Sequence, residues 1–332
     1  MSHYHLYAIG NALVDTEYEV SDALLSSMGV SKRHMTLIDT PQRAELLTHV
    51  QGLHARRTGG GSAGNTVVAL AQLGGKAFYS CRVADDELGA FYTQDLQAND
   101  VATNLTHTQP AEGQTGSCMV LVTPDAERSM CTFLGATSQL DSSALHPHDI
   151  AKSKIYYMEG YLAASPTGLE AAIQGRQIAQ AHQVATALTL SDVSMINFCK
   201  AGLDAMVGDG LDYLFANEEE AQTWCGTSDL DAIIGQLAPL AKTVCLTRGP
   251  KGCIVIQGQS RTDVPAVPTQ AIDTNGAGDM FAGTFLYGIT HDHTPIEAAA
   301  LANRTAAAVV SQHGNRLTSA QMGKLYTDFK NA

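Results

Sequence analysis

Short apolar runs alternate with longer stretches of helical periodicity, so the chain reads as strands and helices in turn. Tyr4–Ile9 is the first expected strand, closed by Gly10-Asn11. Over 14–20, Val14, Thr16, Tyr18 and Val20 fall on one face and Asp15, Glu17 and Glu19 on the other, which predicts a half-exposed strand. Met35–Ile38 is another short strand. Thr40-Pro41 opens a helix to about Leu53, with proline in the first turn, where its missing N–H costs nothing. The glycine cluster at 59–64 leads into a helix over Asn65–Leu73. A strand over Phe78–Val83 and a helix over Asp86–Ala98 follow. Ser117–Thr123 and Ser129–Leu134 read as a hairpin around Pro124-Asp125-Ala126-Glu127.

From about residue 150 the rhythm becomes regular, with strands at Ile155–Met158, Ala185–Leu190, Tyr213–Ala216 and Val244–Thr247 and helices between them. Cys253–Ile256 and a strand near Val264 make an antiparallel addition. Helices near 278–289, 295–311 and 318–330 complete the pattern. The expectation is a single α/β domain over 1–332, with a mostly parallel central sheet flanked by helices. Two segments, about 12–39 and 108–137, break the βα rhythm with alternating strands. They are expected to pair into a small β-sheet lid beside the main sheet.

Charge narrows the partners. Twenty Lys and Arg stand against 33 Asp and Glu, for a formal charge of −13. Nucleic acid and anionic membranes need clustered positive charge, so neither is expected. The longest apolar runs, 118–122 and 306–310, fall far short of the roughly 20 residues of a spanning helix. No Lys or Arg precedes Lys32, so the basic start of a secretory leader is missing, and a cytoplasmic protein is expected. The cysteines at 81, 118, 131, 199, 225, 245 and 253 form no C-x-x-C pair and read as reduced, buried thiols.

In a parallel α/β sheet, ligands collect at the carboxyl ends of strands. Polar groups and glycines follow those ends here: Gly10-Asn11 with Asp15, Glu159-Gly160, Ser191-Asp192, Asn217 to Glu220, and Thr247-Arg248-Gly249. A long cleft is expected along that edge. The most informative string is Asp273-Thr274-Asn275-Gly276-Ala277-Gly278-Asp279, followed by Met-Phe-Ala-Gly. A glycine-rich turn entering a helix aims several N–H groups at one point, and the helix dipole adds to their pull on an anion. A carboxylate beside such an anion hole has a natural task, to take a proton from an attacking hydroxyl.

This string resembles the C-terminal signature of the ribokinase (phosphofructokinase-B) family of small-molecule kinases. Gly59-Gly60-Gly61-Ser62-Ala63-Gly64-Asn65, and then Arg82 to Gly89, resemble its N-terminal signature. Asn217-x-x-Glu220 and Thr247-x-Gly249-x-x-Gly252 match its central motifs in order. Gly10 to Asp15, Glu127-Arg128-Ser129-Met130 and Gly135-Ala136 are similar in texture to bacterial adenosine-kinase-like members. The resemblance implies a ribokinase-like fold and ATP with Mg2+. Asp279 would be the base, and the backbone of Gly276, Ala277 and Gly278 would hold the transferring phosphoryl group. Asn217 and Glu220 would organise Mg2+ and phosphates through water. Thr247, Arg248, Gly249 and Gly252 would contact the nucleotide, with Asn303 near the adenine. Asn11, Asp15, Gly60, Gly61, Ser62, Asn65 and Glu159 would serve the acceptor, with Asp15 and Asn65 gripping vicinal hydroxyls. A monovalent cation such as K+ would sit among Asp273, Asn275, Val309, Gln312, Gly314 and Thr318.

The leading expectation is therefore a kinase of a primary hydroxyl on a ribose-containing nucleoside, adenosine first. A sugar kinase acting on ribose, fructose or a related polyol is the alternative. Met35, Met119, Met130 and Phe133 would either pack a purine or form the core of the lid. A binding protein that has lost turnover is disfavoured by the intact Asp279 turn. A nicotinamide enzyme rests on Gly59-x-Gly61-x-x-Gly64 alone, and His54 to Thr58 before it is not expected to be a strand. No P-loop, H-R-D or D-F-G string occurs. His146-x-His148 and His291-Asp292-His293 read as surface histidines. The chain is expected to be a monomer or a homodimer joined through the lid.

Overall fold

Residues 3–32, 35–125 and 127–331 are described by a computed structural model. Ala126 of the expected hairpin turn, and positions 33 and 34 of the expected lid, lie outside the described residues. In chain order the strands are β1 (Tyr4–Ile9), β2 (Leu13–Glu19), β3 (Met35–Leu37), β4 (Ala55–Gly60), β5 (Ala77–Ser80), β6 (Val101–Thr103) and β7 (Ser117–Val122). They continue as β8 (Arg128–Phe133), β9 (Ser153–Glu159), β10 (Ala185–Thr189), β11 (Leu211–Asn217), β12 (Ala241–Thr247), β13 (Cys253–Gln257) and β14 (Ser260–Val264).

The main sheet runs β14-β13-β12-β11-β10-β9-β1-β5-β6. Its pairs are parallel except those made by β13 and β14, so the short apolar runs read from the sequence are buried on both faces. Alternation splits β1 between two cores. Leu6 and Ala8 join the layer that holds helices Ser62–Gln72, Ala277–Thr290 and Pro295–Val310. Tyr7 and Ile9 join the layer under Pro166–Ala181 and Val193–Val207. Register aligns the strand ends. Glu159 pairs with Thr189, Thr189 with Phe215, and Asn217 with Thr247. The polar residues after each strand thus reach one edge.

The smaller sheet runs β3-β8-β7-β2-β4. Its β7–β8 hairpin is the one expected from the Pro-Asp turn. One face is covered by helices Asp22–Ser27 and Thr40–His49 through Leu25, Leu46, Met119, Leu121 and Cys131. The other face looks toward the strand ends of the main sheet.

Three expectations change. His54 to Thr58 was expected not to be a strand, yet Ala55 to Thr58 belong to β4, which pairs antiparallel with β2 from Leu13↔Gly60 to Tyr18↔Ala55. Ala55, Arg56 and Arg57 are exposed, so β4 has no apolar face to reveal it; backbone pairing alone makes it a strand. The nicotinamide reading still fails, because β4 lies at the edge of the smaller sheet and not in a parallel βαβ unit. The helix after the glycines begins at Ser62 rather than Asn65, and the one opened by Thr40 stops at His49 rather than near Leu53. Strand β6 and helix Asp22–Ser27 were too short to carry a period.

Candidate active site

A cleft of about 560 Å3 lies between the strand ends and the smaller sheet. Its floor is the start of helix Ala277–Thr290. Gly276 caps that helix at φ +76, a conformation costly for other residues, and a side chain there would approach the Asn315 carbonyl to 2.5 Å. Among the described residues no side chain caps the helix, and the space beside Gly278 is open, with none of their atoms within 4 Å of a Cβ position. An uncapped helix start with room in front of it suits a phosphate.

Asp279 sits in the first turn of the same helix. Its Oδ1 accepts from Ser62 Oγ at 2.7 Å, and its Oδ2 accepts from Asn65 Nδ2 at 2.9 Å. Burial pushes its proton affinity up to about 6, while those two donors and Arg316 pull the other way. A carboxylate poised there is ionised at neutral pH and still able to accept a proton.

Asp15, on β2, faces the same cleft. Burial raises it to about 7, opposed mainly by Arg316. Asn315 Nδ2 donates to its Oδ2 at 3.0 Å. Gly60 lies against it, and a methyl group at Gly60 would collide with the carboxylate. Gly61 is likewise close to the Asn11 carbonyl. Glu159 lies at the cleft but is 0% exposed, and it ties two loops together. Its oxygens accept from Asn11 N at 2.7 Å and Ala63 N at 2.8 Å, and burial raises it to about 7. Asn65 is not free in this structure, because its amide serves Asp279 on one end and Arg316 on the other.

Of the residues expected at the nucleotide, Asn217, Glu220 and Thr247 line the cleft. Asn217 and Glu220 form a reciprocal capping box on helix Glu218–Cys225, and burial raises Glu220 to about 7. Arg248, Gly249, Gly252 and Asn303 are not on the cleft wall. Arg248 is held by Glu218 at 3.0 Å and Asp263 at 3.7 Å. Asn303 is buried, and its amide donates to the Val264 and Pro265 carbonyls. Met35 and Met130 face the cleft; Met119 and Phe133 point elsewhere, Met119 into the core beneath the smaller sheet.

Fit to the implied ions differs. Among the described residues no group of three or more His, Cys, Asp or Glu is placed to hold a metal. Mg2+ keeps several waters and needs one or two carboxylates, so Glu220, reached through water, fits it. Asp273 does not fit a monovalent cation on its carboxylate. Its Oδ1 accepts from Asn275 N, and its Oδ2 accepts from Gly314 N at 2.9 Å and meets the Arg128 guanidinium at 2.9 Å. An ion there would face a guanidinium. Val309 is fully buried, Gln312 donates to the Arg316 carbonyl, and Thr318 caps the last helix.

Sequence reasoning gave no role to Asn315 and Arg316. They lie in a polar loop after helix Pro295–Val310, and the fold alone carries them back to Asp15 and Asn65. The cysteines are all free thiols, five of them buried. Among the described residues no helix is long and apolar enough to cross a membrane.

An α/β sheet with a carboxylate beside an uncapped helix start, under a second sheet, is an arrangement that suits phosphotransfer. The chain belongs to the pfkB family carbohydrate kinases, whose model matches residues 30–321. It is similar to a crystal structure of adenosine kinase from Sinorhizobium meliloti, 37% identical with a TM-score of 0.88, covering 98% of this chain and 99% of that one. A probable sugar kinase from Rhizobium etli is 34% identical with a TM-score of 0.90, over 100% of both chains. Adenosine kinase from Saccharomyces cerevisiae is 28% identical, over 86% of this chain and 88% of that protein. The fold is ribokinase-like, and the chain is a phosphotransferase with an alcohol group as acceptor, of an ATP-dependent kinase family.

Proposed function

We propose that the chain transfers the γ-phosphoryl group of ATP to the primary hydroxyl of a nucleoside, adenosine first, in the cytoplasm. Asp279 takes the hydroxyl proton as the new O–P bond forms and the bond to the bridging oxygen of ADP breaks. The backbone of Gly276, Ala277 and Gly278 stabilises the charge spread over the phosphoryl oxygens. Bound Mg-ATP supplies the phosphoryl group with its charge partly neutralised; Asn217 and Glu220 orient it through water. Asp15 and Asn11 grip the acceptor, and the smaller sheet acts as a lid that excludes water.

The observation that carries the nucleoside reading is the cleft wall above Asp15. Met35, Leu37, Cys118, Met130 and Leu134 give it an apolar, sulfur-rich face. A base has a flat apolar surface to bury there, which a free sugar lacks. The adenosine kinases among its relatives support the same reading. The outer face of the lid is already covered by its own helices, which supports closure within one chain. The sugar kinase reading draws on the hydroxyl-binding pair Asp15 and Asn11 and on the relative from Rhizobium etli. ADP release from Mg-ATP with adenosine, inosine, guanosine, cytidine, ribose and fructose, each against a blank, separates them. Turnover selective for adenosine supports the proposal; turnover confined to free sugars overturns it.

A further inference from the structure

We propose that Arg316 is a positioning residue for the phosphoryl-transfer step, fixing Asn65 in the orientation that lets its amide donate to Asp279. The inference rests on the base assigned to Asp279 above. The chain of contacts is continuous. Asp95 Oδ2 accepts from Arg316 Nη1 at 2.6 Å, Arg316 Nε donates to Asn65 Oδ1 at 2.8 Å, and Asn65 Nδ2 donates to Asp279 Oδ2 at 2.9 Å.

The physical reason lies in the amide. A primary amide has a donor end and an acceptor end, and a rotation about its last bond exchanges them. Were Asn65 to turn over, its carbonyl oxygen would face the Asp279 carboxylate and its NH2 would face a guanidinium. Both contacts would be repulsive. Arg316 cannot accept a hydrogen bond, so it dictates which end of Asn65 faces the base. Asn65 is 6% exposed, so water is poorly placed to substitute.

Arg316 is itself built in. Its guanidinium packs against Gly59, where a Cβ would lie 2.9 Å from Nη1. Its Nη2 is buried and finds no hydrogen-bond partner among the described residues. Asp95 therefore answers one edge of the fork, and the remaining positive charge acts on the cleft. Adjacent Asn315 donates to Asp15, so two neighbouring residues of one loop serve the carboxylate on the acceptor side and the carboxylate at the reacting hydroxyl.

Charged and titratable groups from several elements surround Asp279. Asp15 comes from β2, Tyr157 and Glu159 from β9, Tyr161 from the turn after it, and Glu220 from helix Glu218–Cys225. The charge of Asp279 raises Asp15, Glu159 and Glu220, and Arg316 favours a charged Asp279. Removing Arg316 therefore acts twice, by freeing the amide and by removing the counter-charge.

The test compares Arg316→Gln, Arg316→Lys and Asp279→Asn in the full chain, using Mg-ATP and the most active acceptor of the panel above. Turnover and KM are measured from pH 5 to 9, with Mg-ATP binding and thermal melting as checks of folding. Arg316→Gln is expected to lower kcat on the order of 10-fold to 100-fold, the loss that follows a small misplacement of a reacting group. Its acid limb is expected to move to higher pH, with Mg-ATP binding unchanged. Arg316→Lys keeps the charge but not the fork, so its acid limb moves less than that of Arg316→Gln while kcat remains reduced. An Arg316→Gln enzyme with wild-type kcat and acid limb overturns the inference, provided Asp279→Asn is inactive. Near wild-type turnover in Asp279→Asn overturns the underlying base assignment instead. Should Arg316→Gln fail to fold, Asp95→Asn loosens the same fork from the other side. A smaller loss of kcat then supports the inference, and an unchanged profile overturns it.

Discussion

Two aspartates stand at the ends of one seven-residue turn and have opposite surroundings. Asp273 is sealed: its side chain is 3% exposed, and it meets a full counter-charge in Arg128 and two backbone N–H groups. Asp279 faces the cleft and is held by neutral donors, a hydroxyl and an amide, with Arg316 one residue removed. A carboxylate locked to a guanidinium is a structural anchor, because its negative charge is already answered. A buried carboxylate held by neutral donors keeps its affinity for a proton. The difference teaches that position in a glycine-rich turn does not make a base. The partners do.

The largest expected effect breaks the open member of the pair. Asp279→Asn keeps the shape and removes the proposed proton acceptor. Turnover should fall by roughly 10²–10⁴-fold while Mg-ATP binding, followed by calorimetry, survives. Next comes Asp15, the carboxylate proposed to grip the acceptor. Asp15→Ala should raise KM for the acceptor far more than KM for Mg-ATP, in steady-state kinetics with each substrate varied; equal effects would remove Asp15 from the acceptor site. The sealed member should respond differently. Arg128→Gln breaks the link from β8 to Asp273 and Glu17. It should raise acceptor KM several-fold and increase ADP release in the acceptor-free blank, because the smaller sheet closes less firmly. Unchanged values would separate the ion pair from closure.

The smallest effect is on stability. Asp15, Glu159 and Glu220 are raised to about 7, and Asp279 to about 6, all by burial. A folded-state value above the unfolded one gives stability that is present at low pH and lost as pH rises through the folded value. The ligand-free protein should therefore melt lower at pH 8 than at pH 5.5. His5, lowered to about 4, works in the opposite direction, losing stability as pH falls from about 6.5 towards about 4. Glu159→Gln should reduce the melting difference by about 1–3 °C, measured by scanning calorimetry; an unaltered difference would mean Glu159 does not titrate there.

Much of this frame was legible in the chain. The main strands are apolar runs because parallel strands are buried on both faces, and the residues after them were polar for the same reason: they meet the cleft. The Asp279 turn announced itself because glycines entering a helix serve few purposes other than a close approach. What stayed hidden depends on pairing at a distance. Strand β4 carries arginines and glycines and exists through its bonds to β2. Asn65 read as a substrate grip, yet its amide is engaged by two charged groups far away in sequence. Asn303 read as a neighbour of adenine, and its amide pins the carbonyls of Val264, at the end of β14, and Pro265. A polar side chain shows its chemistry in the sequence but not its partner.

The most direct test of the central claim is the pH dependence of kcat/KM for the acceptor between pH 4 and 8, in the wild type and in Asp15→Asn. Asp279 accepting the hydroxyl proton predicts that activity falls as pH drops through about 6, and that this acid limb persists in Asp15→Asn. Activity level down to pH 4, or an acid limb that vanishes with Asp15, would contradict it.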